Sequence, residues 1–474
     1  MVSSAAAQLQ RSLCLAYHTV RPLVRARNAI SPVLLLIVAS AFAWPFADGS
    51  GESTDQACIS ANGRYVVFES ESNNVTPGDT NGSRDIFRLD LQTDTIIRVN
   101  VSSTGAQSDS ACSEPRVSAD GNRVVFHSLS SNLVTSDTNN ATDVFLRDIT
   151  AATTTRVSVD SAGLQTANFA DSYISSISSD GSRVAFHSAA ANLVPGDTNF
   201  RVDAFLRNLT AGTTTRVSVD SLGTQADRDC YSATISGDGT RVAFVSDATN
   251  LVASDTNAKV DVFVRNVTAG TTVRASVSSG GAEANDTSVA SSGDRPTLNT
   301  DGTRVAFTSS ASNLVTSDTN GVDDVFVRDL ALGTTVRASV TTTGSQAISG
   351  GNCGIISADG SRVVFTGAYN LLPGGGSSDP LQYFMRNLSD SSTTCVSVNS
   401  AGVPGNLFVG GAATGAGAGI SADNNLVAFC SLASNMVAND TNGTYDIFVR
   451  NLAAGTTAGP SIPVTAADGW MLYR

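Results

Sequence analysis

The feature that most constrains this chain is a turn dipeptide, Asp-Gly or a close equivalent, that returns along its whole length. It stands at Asn62-Gly63, Asp120-Gly121, Asp180-Gly181, Asp238-Gly239, Asp301-Gly302, Asp359-Gly360 and Asp423-Asn424, at intervals of 58, 60, 58, 63, 58 and 64 residues. Each copy lies between two β-rich runs, as in RVSADGNRVVFHS. That context predicts a tight hairpin, because both residues of the dipeptide tolerate positive φ. A polar loop such as LSSNLVTSDTNNAT leads to a third run, DVFLRDI, and a short Thr/Ala/Gly turn to a fourth, TTTRVSV. The β-branched residues of these runs suit a pleated surface. Seven units of four antiparallel strands predict an all-β chain, a seven-bladed β-propeller of four-stranded antiparallel blades over residues 58–474. Repetition of this kind overrides the division into domains of ~150 residues that length alone suggests.

Composition agrees with a packed β protein. Hydrophobic residues make up 41% and charged residues 15% of the 474, enough apolar surface for a sizeable core. The formal charge is -13, and the only basic residues among the first 43 besides a histidine are Arg11, Arg21, Arg25 and Arg27. Without that segment 25 basic groups face 42 acidic ones, so nucleic acid is not an expected partner; phosphate binding needs basic patches.

Residues 1–43 read as an export signal: arginines up to Arg27, an apolar run from Val33 to Ala43, and the small-x-small triplet Ala41-Phe42-Ala43 before Trp44. Cleavage is expected after Ala43, leaving 44–57 as a short linker and a secreted or periplasmic chain. The apolar run is shorter than the ~20 residues of a stable membrane span. Six cysteines remain, Cys58, Cys112, Cys230, Cys353, Cys395 and Cys430. An exported chain permits disulfides among them, with 15 possible connectivities for six cysteines, and no C-x-x-C pair suggests zinc.

The recurring S-x-D-G-x-R-V-x-F followed by D-V-F-V-R-D-L resembles the WD-repeat-like unit of TolB-type propellers across residues 58–474. The resemblance implies a propeller fold and, as such propellers serve as protein-binding platforms or as appendages of peptidases, a binding role. TolB itself carries six such units and an extra N-terminal domain, where this chain has seven units.

Strand parity adds a geometric expectation. In a four-stranded antiparallel blade, the loops joining strands two to three and strand four to the next blade leave on the same side. Those are the long loops, so binding chemistry is expected on that face and not among the short turns opposite.

The strongest polar pattern in the long loops is D-T-N-x-x-x-D. It recurs as Asp79/Asn81/Asp85, Asp137/Asn139/Asp143, Asp197/Asn199/Asp203, Asp255/Asn257/Asp261, Asp318/Asn320/Asp324 and Asp440/Asn442/Asp446, and blade six lacks it. Carboxylates and amide oxygens at this spacing are hard ligands of the kind calcium takes, and the first positions match an EF-hand loop. The EF-hand glycine at position six is absent, and the residue at position twelve falls inside the third strand. The alternative reading has Asp and Asn capping an Asx-type turn, with the last Asp bonding loop amides.

Other recurring groups are read structurally. Arginines on strands two, three and four, such as Arg123, Arg147 and Arg156, are expected to bond carboxylates and carbonyls within their own blade. His127 and His187 occupy equivalent positions in blades two and three and are expected to be satisfied strand histidines. The linkers repeat Gly-x-Gln/Glu at Gly105/Gln107, Gly163/Gln165, Gly223/Gln225, Gly281/Glu283 and Gly344/Gln346, a turn glycine with a backbone-bonding side chain. Blade six is irregular, with PGGGSSDP (Pro373 to Pro380) and an apolar Leu407-Phe408-Val409, which makes it a candidate partner contact.

The sequence contains no G-x-S-x-G elbow, H-E-x-x-H pair or P-loop, and no catalytic residues are nominated. The expected function is a non-catalytic exported scaffold binding a protein or an extracellular ligand, with calcium as a possible stabilising cofactor. The alternative is an extracellular enzyme that cleaves polysaccharide or peptide through carboxylates on the long-loop face.

Overall fold

A computed structural model describes residues 54–288, 294–372, 380–409, 418–438 and 440–459. The predicted export signal, most of Pro373–Pro380, and Pro460 with Pro463 lie outside the described residues.

Seven four-stranded antiparallel sheets follow one another, and in each the four strands are consecutive in the chain. In blade two they are Cys112–Val117, Arg123–Ser128, Asp143–Asp148 and Thr153–Arg156, with the first strand innermost. The first strand of blade one is Thr54–Ile59, so the repeat starts upstream of Cys58. One short 3-10 turn, Tyr369–Leu371, is the only helical element among the described residues.

Successive side chains of the middle strands point to opposite neighbours, which is why these strands read as unbroken apolar runs. In blade one Val67 and Ile86 pack on Val124, Phe126 and Phe145 of blade two. Val66, Phe68, Phe87 and Leu89 pack on Ala428, Cys430, Ile447 and Val449 of blade seven, which closes the ring. Every blade has one phenylalanine on strand two paired across the ladder with one on strand three. Their ring centroids are 5.6–6.0 Å apart, from Phe68 with Phe87 to Phe429 with Phe448. Among the described residues no strand is shared between the first and last blades, and these blades meet through this packing and through bonds between turns.

Those bonds form a belt on the short-turn face. Asn62 N donates to Ala119 O (3.1 Å), Ala119 N to Ser179 O (2.9 Å) and Ser179 N to Gly237 O (2.8 Å). The series continues through Asp238 to Thr300 (2.8 Å) and Thr300 to Ala358 (2.9 Å), and Ala422 N returns to Ala61 O (2.9 Å). The turns themselves differ from the expectation in one respect. Only the second residue of the dipeptide takes the left-handed conformation, as at Gly121 (φ 77°) and Asn424 (φ 60°), while Asp120 accepts a bond from Asn122 N (2.9 Å). The hairpin is therefore a longer loop between Ser118 and Arg123, whose backbones bond at 2.9 Å.

Candidate functional site

The two long-loop sets meet on one face, as strand parity predicts. In blade two the linker residue Gln165 takes Thr138 of the Asp-Thr-Asn loop from both sides, accepting from its N–H (3.3 Å) and donating to its hydroxyl (2.7 Å). Gln225 with Thr198 and Gln346 with Thr319 repeat the clamp.

In blades one to five the structure brings each pair of loop aspartates onto one arginine at the end of strand four. Arg98 lies 3.0 and 3.1 Å from Asp79 and Asp85, and Arg156 lies 3.5 and 3.4 Å from Asp137 and Asp143. Arg216 reaches Asp197 and Asp203 (3.1 and 3.2 Å), Arg274 reaches Asp255 and Asp261 (3.1 and 3.0 Å), and Arg337 reaches Asp318 and Asp324 (3.0 and 3.1 Å). The asparagine turns its amide nitrogen toward the second carboxylate: Asn81 to Asp85 (3.0 Å), Asn139 to Asp143 (3.0 Å), Asn199 to Asp203 (3.3 Å), Asn257 to Asp261 (2.8 Å), Asn320 to Asp324 (2.9 Å). In blades one to four its oxygen accepts a backbone N–H two residues on, as from Ser83 (3.1 Å). Burial raises Asp79 and Asp137 to about 6 despite the arginine, and Asp255 and Asp318 shift the same way.

Blades six and seven depart from this pattern in different ways. In blade six Cys395 stands opposite Phe384, where the arginine stands elsewhere, and Gln382 replaces the strand-three aspartate. Cation and anion are both gone, and Ser397 donates to Gln382 (2.7 Å). In blade seven Val449 pairs with Ala458, which puts Gly459 in the arginine's place, yet Asp440, Asn442 and Asp446 all remain. Asp440 and Asp446 are 8% and 1% exposed, and burial pushes Asp440 up to about 6.

The other arginines bond within their own blades as expected, Arg123 to Asp148 (3.1 Å) and Arg147 to Thr154 Oγ1 (3.1 Å), and they also reach beyond them. Strand-two arginines reach the next blade's turn, Arg123 to Gly181 O (3.0 Å) and Arg183 to Gly239 O (2.6 Å). Strand-three arginines reach back to the preceding linker, Arg147 to Ser102 O (3.2 Å) and Arg265 to Asp220 O (2.8 Å). The reason is reach: a guanidinium on a long stem extends past its own sheet to carbonyls that keep a second lone pair, since Ser102 O and Asp220 O each accept one backbone N–H, from Gly105 (2.9 Å) and Gly223 (3.1 Å).

A second group lies where the inner strands meet the long-loop face. The first strands carry a bulge there, with Gln56 (φ 51°), Glu114 (φ 57°), Ser232 (φ 53°) and Cys353 (φ 60°) left-handed. A bulge re-aims side chains, and left-handed non-glycine residues carry strain of the kind that clusters at functional sites. Glu114 is ion-paired with Arg295 and its carboxylate is 4.0 Å from His127 Nδ1. Burial opposes its ionisation, but the charges of Arg295, His127 and Arg116 prevail and hold it at about 2.

His127 and His187 alternate with two tyrosines across blades two to four. Ring centroids run 5.2 Å from His127 to Tyr173, 5.6 Å from Tyr173 to His187 and 5.8 Å from His187 to Tyr231. The histidines are not satisfied as expected: among the described residues neither Nδ1 has a hydrogen-bond partner. Burial lowers both to about 4, so they are neutral imidazoles at pH 7. Tyr173 and Tyr231 are 38% and 43% exposed, and Phe169 and Phe200 on neighbouring long loops are 75% and 91% exposed. In blade six Leu407 and Phe408 are exposed while Val409 is buried.

Sequence reasoning passed over Glu114, Arg116 and Arg295. The available signal was variation: one inner-strand column reads Cys58, Arg116, Ser176, Thr234, Thr297, Ile355, Gly419, whereas strands two and three repeat closely. Of the disulfides that the cysteine count leaves open, none among the described residues involves Cys58, Cys112, Cys230, Cys353 or Cys395. No helix among the described residues is long and apolar enough to cross a membrane.

No family model matches the sequence, and no curated protein matches it. Solved structures do share the fold. The chain is similar to a puromycin-hydrolyzing peptidase of Mycobacterium tuberculosis at 11% identity and TM-score 0.52, covering 90% of this chain and 57% of the peptidase. It is similar to the β-propeller domain of the Trilobed protease of Pyrococcus furiosus, a propeller of open velcro topology, at 10% identity and TM-score 0.50, covering 88% and 97%. A TolB of Agrobacterium tumefaciens is also similar, at 16% identity and TM-score 0.37 over 60% of this chain and 80% of that one.

Proposed function

We propose that this chain is an exported, non-catalytic propeller that binds its ligand through the mouth of the ring on the long-loop face. The observation that carries this reading is the ladder His127–Tyr173–His187–Tyr231, half-exposed phenols alternating with histidines whose Nδ1 atoms have no hydrogen-bond partner among the described residues. Aromatic faces with a free polar edge suit recognition, because they offer large contact area with little entropy to lose. The opposite face presents short turns whose polar groups are committed to neighbouring blades.

Support for the enzyme reading is weaker. Glu114 at about 2 and the histidines at about 4 are far from the range that suits proton transfer at neutral pH, and the loop carboxyls that burial raises to about 6, Asp79 and Asp137, are shut away from solvent against Arg98 and Arg156. For calcium, the support is confined to blade seven, where both carboxylates persist and glycine stands at the position of the strand-four arginine.

A binding screen of the whole chain over peptide and oligosaccharide arrays tests the proposal. Hits should be lost in Tyr173→Ala and Tyr231→Ala and retained in Asp180→Ala on the short-turn face. Hits that survive both tyrosine changes and vanish with Asp180→Ala would overturn it.

A further inference from the structure

Below the mouth, the inner strands of all seven blades enclose a cavity of about 240 Å³. Its wall has two distinct parts. Toward the short-turn end stand Ile59, Ile235, Leu298, Ile356 and Ile420, one branched aliphatic residue from each of five blades. Nearer the mouth stand Arg116 and Arg295, the only charged residues on the wall among the described residues.

Both arginines are held where a protein rarely leaves a cation. The Arg295 side chain is 9% exposed, and its Nη1 has no hydrogen-bond partner among the described residues, although the other end of the guanidinium is paired with Glu114. Arg116 donates to Gln56 Oε1 (3.3 Å) and Pro115 O (2.8 Å); among the described residues no carboxylate is hydrogen-bonded to it, although the charges of Glu114 and Glu69 act on it. Burial and then the charge of Arg295 lower its affinity for its proton. The wall hydroxyls cannot relieve this, since they are spent between blades: Thr234 donates to Pro296 O (2.6 Å) and Thr297 to Gly354 O (2.9 Å), while Ser176 accepts from Ile235 N (2.6 Å).

Buried charge without a full set of partners is costly, and an anion placed against the two guanidinium groups would offset that cost. A planar carboxylate fits best, because it takes forked N–H donors in pairs. The far end of the same cavity is aliphatic and favours an apolar body. We infer that the cavity binds a small carboxylate with a branched aliphatic or aromatic body, its carboxylate on Arg116 and Arg295 and its apolar end among Ile59, Ile235, Ile356 and Ile420. The inference rests on the long-loop mouth as the entry to the ring.

Calorimetric titration of the full chain with 4-methylpentanoate, 4-methylpentanamide and inorganic phosphate tests it. The carboxylate should bind at least tenfold more tightly than the uncharged amide and than phosphate. Arg116→Gln, checked for an unchanged melting transition, should weaken the carboxylate at least tenfold and leave the amide alone. Equal binding of carboxylate and amide, binding of phosphate as tight as that of carboxylate, or no carboxylate binding at millimolar concentration would each overturn the inference, and none of the three needs a variant. Failure here is separable from failure of the mouth as a recognition surface. If the mouth reading alone is wrong, carboxylate binding persists and depends on Arg116 while Tyr173→Ala and Tyr231→Ala leave every array hit intact.

Discussion

Nη1 of Arg274 lies 3.0 Å from Oδ2 of Asp261, a carboxylate with no solvent exposure that begins the third strand of blade four. The same nitrogen lies 3.1 Å from Asp255, so one buried cation holds two loop carboxylates. Removing one member of a buried pair leaves an uncompensated charge, which typically costs about 3–5 kcal/mol. Arg274→Met is therefore expected to lower the stability measured by urea unfolding by an amount in that range. Adding Asp255→Asn and Asp261→Asn should restore part of the loss. Blade six shows that route in nature, with Cys395 and Gln382 in place of the charged pair.

Blade seven lacks the arginine, and Asp440 is raised to about 6 by burial. A carboxyl whose pKa is higher folded than unfolded adds stability at low pH, and that stability is lost as pH rises through about 6. Asp440→Asn is expected to melt higher than the parent at pH 7.5, by about 2 kcal/mol of stability, and to match it near pH 4. Millimolar calcium at pH 7.5 should raise the melting temperature of the parent and not of Asp440→Asn. An equal response in both proteins would remove blade seven from the calcium reading.

The histidines act in the other direction. His127 and His187 are depressed to about 4 by burial, with Glu114, Arg295, Arg116 and the faces of Tyr173 and Tyr231 around them. A base whose pKa is lower in the folded state loses stability as pH falls from its unfolded value of about 6.5 toward 4. The double variant His127→Phe, His187→Phe should flatten the decline in melting temperature across that window. The parent's loss there should reach up to about 3 kcal/mol per histidine.

Gly121 separates two consequences of adding a single carbon. A Cβ there would come 2.0 Å from Cδ2 of Tyr65 in blade one, and φ is 77°. At Gly163 φ is 84° but nothing lies within 4 Å of the added atom. Gly163→Ala is expected to cost about 1 kcal/mol, the conformational penalty alone. Gly121→Ala should cost more, and Tyr65→Ala in the same chain should return part of the excess by removing the clash. Equal costs in differential scanning calorimetry would contradict the packing of blades one and two.

Local rules made most of the fold legible. Ser118-Ala119-Asp120-Gly121 spells its own turn, and Val124, Phe126, Val144 and Phe145 spell strands buried on both sides, because turn chemistry and alternation act over a few residues. The long-loop face followed from strand count, and the repetition of Gln165 marked it as a backbone-bonding side chain, whereas its second bond, to the Thr138 hydroxyl, came from the structure. The destinations of the arginines were not legible. Arg123 and Arg147 occupy similar places in the pattern, yet one goes forward to Gly181 and the other back to Ser102. Glu114 and Arg295 were hidden for a stronger reason, being 181 positions apart with no shared motif.

The amino-acid sequence by itself determined seven four-stranded units, their turns, the face of the long loops and the unlike character of blade six, all consequences of short-range periodicity. Only the tertiary structure decided that Arg156 pairs with both Asp137 and Asp143, that two histidines have no hydrogen-bond partner at Nδ1 among the described residues, and that Arg116 and Arg295 share one cavity. Those relationships depend on how seven sheets pack into a ring. Closure places residues of different blades side by side on the axis, and no local pattern encodes the distances between them.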